Sequence, residues 1–132
     1  MKKTRSTIII VVISIFVGLL HFLIGPNYQG PFRDFMRGYL IDIVLPMNMY
    51  LLAQVAMRRI LPTLWYRIIG AVAVFLFGVT IEIMQKFGIH ALGSTYDPLD
   101  FLMYGLGILL GLVVDLTVIQ ILENNLSQDA FK

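Results

Sequence analysis

A chain of 132 residues has the length of one domain. Its residues are 58% apolar and 14% charged, against roughly 25% charged in soluble proteins, and its mean hydropathy is +0.84. Too few polar side chains remain to cover a water-soluble globule, which excludes a soluble enzyme. The ten Lys and Arg sit in ones and threes between apolar blocks, a pattern of membrane topology rather than a nucleic-acid surface.

A helix needs about 20 apolar residues to cross a bilayer. Four stretches qualify, at about 7–25, 35–57, 68–87 and 98–122. The first follows Lys2, Lys3 and Arg5 as a signal peptide would. It is too long for a usual signal core and lacks a small-x-small site after it, so an uncleaved first helix is expected. Short breaks separate the spans: Pro26 to Asp34, Arg58-Arg59 with Pro62, and Lys86 to Asp97 with Gly88 and Gly93. The predicted fold is an all-α, integral membrane four-helix bundle forming one domain over 1–132.

Cytoplasmic loops retain Lys and Arg. Lys2, Lys3, Arg5, Arg58, Arg59, Arg67 and Lys132 fall on one side, and Arg33, Arg37 and Lys86 on the other. That asymmetry predicts an N-in, C-in chain. At 1.5 Å per residue, His21, Asp42, Glu82, Asp100 and Tyr104 then fall within about 10 Å of the outer side. Arg33, Arg37, Gln85, His90 and Asp97 lie at or above that level. Ionisable groups in spans are costly and normally face a bundle interior or wet cavity with partners, so an outer polar pocket is expected. Its binding residues are Glu82, Gln85, Asp97, Asp100, Tyr104, Arg33, Arg37 and Asp42. Buried ion pairs that merely lock helices together are the structural alternative.

Helical spacing places Asp100, Tyr104, Gly107, Gly111 and Asp115 close to one face of the fourth span, and Gly78, Glu82 and Gln85 on a stripe of the third. Gly78, Gly107 and Gly111 are read as packing positions that join these two helices face to face. Asp115, alone among the acids in the inner half, is expected to be a packing hydrogen bonder. Pro46 should kink the second span, with Asn48 satisfying a freed backbone group. Trp65 and Tyr66 look like an interfacial belt. His21 and His90 lack the spacing of a metal site, cysteine is absent, and neither metal nor cofactor is expected.

The segments Ile81-Glu82-Ile83-Met84-Gln85, Gly93-Ser94-Thr95-Tyr96-Asp97-Pro98-Leu99-Asp100 and Tyr104-Gly105-Leu106-Gly107-Ile108-Leu109-Leu110-Gly111 resemble the VanZ-like family of small bacterial multi-pass membrane proteins. That family carries Glu-x-x-Gln on one helix, a loop ending near an Asp, then Asp-x-x-x-Asn-x-x-Gly. Glu82, Gln85, Asp97, Asp100, Gly107 and Gly111 match over about residues 78–115. Tyr104 stands where the family usually has Asn, the third loop lacks an Arg that many members carry, and the second span lacks a frequent His. The resemblance implies a bacterial cytoplasmic membrane protein with an envelope role such as glycopeptide-antibiotic tolerance. Expected partners are the lipid bilayer and a lipid headgroup or cell-wall precursor, without nucleic acid; a homo-oligomer is compatible with this reading. No catalytic residue is assigned. The alternatives are a membrane-embedded enzyme using Glu82 and Asp100 on a lipid or lipid-linked headgroup, and a small ion-coupled transport subunit using Asp42, Glu82 and Asp115.

Overall fold

The computed structural model describes residues 2–25, 27–90 and 95–128. Pro26, Gly93, Ser94 and Lys132, which mark loops, part of the family motif and the tail, lie outside them. The described chain is helical: α1 (Lys2–Ile24), α2 (Arg33–Gly38), α3 (Leu40–Ile60), α4 (Thr63–Lys86) and α5 (Pro98–Val114), with a π-helical segment (Asp115–Ile119) leading into α6 (Gln120–Gln128). No strand occurs among the described residues. Four stretches are long and apolar enough to cross a membrane, as in a multi-pass membrane protein: Arg5–Ile24, Leu40–Ile60, Leu64–Lys86 and Pro98–Leu122.

Local signals explain most boundaries. Asp97 caps α5, its Oδ1 accepting the Leu99 N–H at 2.9 Å, and Pro98 occupies the first turn, where its missing N–H costs nothing. Gly88, at φ 78°, ends α4 in the left-handed region that suits glycine. The second span differs from expectation. Its first residues form the separate short α2, and α3 begins only at Leu40, so Asp42 lies in the first turn of the spanning helix rather than seven residues deep. Gly38 at the end of α2 supplies the break.

The other three long helices, α1, α4 and α5, pack around α3, and α5 also meets α4. On α1 the buried stripe is Ser6, Ile10 and Ser14, at helical spacing. Ile10 joins Tyr50 and Leu51 of α3, Val74 of α4, and Ile108 and Ile119 in one apolar core. The outward faces are apolar too: Phe22, Leu23, Leu64, Leu102, Leu109 and Ile121 are exposed, the surface that acyl chains would cover.

Glycines set the seam, though not the expected one. A Cβ on Gly107 would stand 2.2 Å from the Ile43 carbonyl oxygen, and one on Gly111 would stand 2.8 Å from Tyr50 Cδ1. Both residues therefore press α5 against α3, not α4. Gly78 alone serves the expected α4–α5 contact, where a Cβ would meet the Tyr104 ring at 2.6 Å. Asn48 does not serve the backbone freed by Pro46; its Nδ2 donates to the Ser14 carbonyl of α1 at 3.4 Å.

Candidate functional site: an acid-lined cavity and an arginine-bound acid

Two polar clusters lie at opposite ends of the long helices. At the first, α3, α4 and α5 enclose a cavity of about 320 Å³, its polar lining made by Asp42, Glu82, Gln85, Thr95, Asp100 and Tyr104. The helical geometry that brings Gly78 against the Tyr104 ring also places the phenol at the next turn of α4. Tyr104 Oη donates to Glu82 Oε1 at 2.8 Å in a buried bond. Tyr104 thus supplies a donor to this carboxyl. Glu82 is 1% exposed, and its second oxygen, Oε2, accepts no hydrogen bond from a described residue.

Asp97, expected in the pocket, does not line the cavity, because its carboxyl is taken up in capping α5. Its Oδ2 accepts from Tyr39 Oη at 2.8 Å, fastening the short link before α3 to the start of α5. The Leu99 amide and then the Tyr39 hydroxyl hold the Asp97 carboxyl below its ordinary value, while the Asp97 hydrogen bond holds the Tyr39 phenol above its own. Arg33 and Arg37 do not reach the cavity. Arg33 pairs at 3.4 Å with its neighbour Asp34, both side chains largely in solvent, and Arg37 is exposed on α2. No described lysine, arginine or histidine lines the cavity. Nor do three His, Cys, Asp or Glu side chains converge in metal-holding geometry among the described residues.

The second cluster escaped the sequence reading. Asp115, with no exposed surface, accepts from Arg58 of α3 and, at 2.8 Å, from Arg67 of α4. It is a helix-packing hydrogen bonder, as expected, and in addition the carboxylate of a buried ion triad. Tyr66 lies beneath both guanidiniums, 5.2 and 5.3 Å from its ring centre. It is buried rather than belonging to an interfacial belt with the exposed Trp65. The signal was available, because Arg58, Arg67 and Asp115 all fall at one depth when positions are counted from that end.

Compared with protein families, curated proteins and solved structures, the chain finds no match, so the geometry of the two clusters carries the functional argument.

Proposed function

We propose that this is a bacterial cell-membrane protein, a four-helix bundle with both termini in the cytoplasm, whose acid-lined cavity faces the exterior and binds a headgroup. The observation that carries this reading is the cavity itself: Asp42, Glu82 and Asp100 line one space, and no described basic residue offsets them. A structural ion-pair network would supply that partner, as Arg58 and Arg67 do for Asp115. The orientation is supported by Arg58, Arg59 and Arg67 lying at the opposite end, where the positive-inside rule puts the cytoplasm. The resemblance to the VanZ-like family supports an envelope role such as glycopeptide tolerance, with a lipid headgroup or cell-wall precursor as partner. The transport reading weakens because Asp115 is closed between two guanidiniums, at the opposite end of the helices from Asp42 and Glu82.

The test joins topology to phenotype. Reporter fusions after Pro31 should read as exterior and those after Pro62 as cytoplasmic. Glu82→Gln and Asp100→Asn should keep normal membrane abundance while sensitising the host to envelope stress or antibiotic. Normal abundance with unchanged sensitivity in both variants would refute the reading.

A further inference from the structure

The chemistry of the cavity points to a class of ligand. Its polar lining carries three carboxyls and neutral donors on Gln85 and Thr95, but no cation from a described residue. The Tyr104 hydroxyl is already committed to Glu82. Glu82, on a side chain 1% exposed, lies against the Asp100 carboxyl, and its Oε2 receives no N–H from a described residue. An ammonium group is the complement: three donors, no acceptor and one positive charge. The absence of a metal-holding triad among the described residues favours an organic cation over a bare metal ion.

The apolar lining extends the argument. Met49, Val74 and Phe77 line the acid cavity and also a second space of about 380 Å³, completed by Leu52, Ala53 and Ala73. Phe77, Leu52 and Leu45 are 43%, 47% and 40% exposed, so this α3–α4 groove opens sideways to the surface that lipid would cover. A polar head in the cavity would leave its chain directly over the groove. From Asp42 to Leu52 is about 15 Å along the helix, half a hydrocarbon core.

We infer that the acid cavity and the α3–α4 groove together bind a lipid whose headgroup ends in an ammonium, the amine held by Asp42, Glu82 and Asp100 and the chain lying against Leu52, Ala73 and Phe77. This rests on the headgroup-pocket reading above and names its ligand class.

The full-length protein in detergent is titrated with phosphatidylethanolamine, N-acetylphosphatidylethanolamine and free ethanolamine, following bound lipid by native mass spectrometry and melting temperature. Phosphatidylethanolamine should bind about tenfold or more tightly than its N-acetyl form, which keeps the chains and loses the charge. Glu82→Gln and Asp100→Asn should each erase that preference. Ala73→Phe, which fills the groove from an exposed position, should weaken lipid binding with the headgroup preference retained. Equal binding of the two lipids, or a preference that survives both carboxyl substitutions, overturns the ammonium assignment. Free ethanolamine binding as tightly as the lipid overturns the groove. Failure here is distinguishable from failure of the envelope reading. Absent discrimination with a clear Glu82→Gln phenotype removes only the ligand class, and clear discrimination without a phenotype upholds the ligand class and removes only the envelope role.

Discussion

Gly105 and Gly107 are two residues apart on α5, and the structure assigns them opposite responses to the same substitution. An alanine Cβ at Gly107 would lie 2.2 Å from the Ile43 carbonyl oxygen and 3.0 Å from its carbon, backbone atoms of a helix held on its other sides by α1 and α4. Ordinary carbon–oxygen contact is about 3.3 Å, so α3 and α5 must separate by about 1 Å. Overpacking of this kind costs about 3 kcal/mol, and the gain in helix propensity from Gly to Ala returns about 1 kcal/mol. The net for Gly107→Ala is a loss of about 2 kcal/mol. At Gly105 nothing lies within 4 Å of the added atom, leaving only the gain of about 1 kcal/mol. Unfolding of the two variants, followed by circular dichroism during denaturant titration in mixed micelles, should therefore differ by about 3 kcal/mol with opposite signs about the parent. Indistinguishable curves would mean that α5 does not approach α3 backbone to backbone.

Two further outcomes follow from the polar clusters. Asp115→Asn leaves two guanidiniums facing each other in a site where their carboxylate was fully buried, and should cost about 3 kcal/mol; a melting temperature within 1 °C of the parent would show that the triad contributes nothing. Asp97 has a depressed folded-state pKa, so its contribution to stability is present above the ordinary value of 3.8 and is lost as pH falls through the lower folded value. Removing one donor with Tyr39→Phe should move the Asp97 carboxyl titration upward, measured by carbon-13 NMR, so that its contribution to stability shrinks and its acid loss is complete at higher pH; an unmoved titration would refute the Tyr39–Asp97 bond.

The spans were legible because each is a long apolar run, and their expected ends fall within about five residues of the observed ones. The acid cavity was legible from depth: Asp42, Glu82, Asp100 and Tyr104 sit on three helices at one level, and packing brings them together. What failed was the choice of neighbour. The spacing of Gly107 and Gly111 marks a close-approach face but carries no label for the helix that fills it, and α3 rather than α4 does so. Arg33 and Arg37 share the level of the cavity, yet α2 holds them outside, a break signalled only by Gly38. Asp115 packs helices by hydrogen bonding as expected, but its arginine partners lie 57 and 48 residues away in sequence, and the π segment that begins at it has no local sequence signal.

The central place of α3 also bears on how the chain is made. Among the described residues, α1 packs on α3 and on the segment from Asp115 onward, and α3 receives its closest neighbour, α5, last. Spatial order and order of synthesis therefore disagree. A nascent chain halted before Pro98 would hold three helices in the bilayer with Glu82 and the paired arginines still waiting for the segment that bonds or neutralises them. Release from the insertion machinery should then wait on the fourth span, and early termination should mark the product for proteolysis rather than leave a smaller working protein.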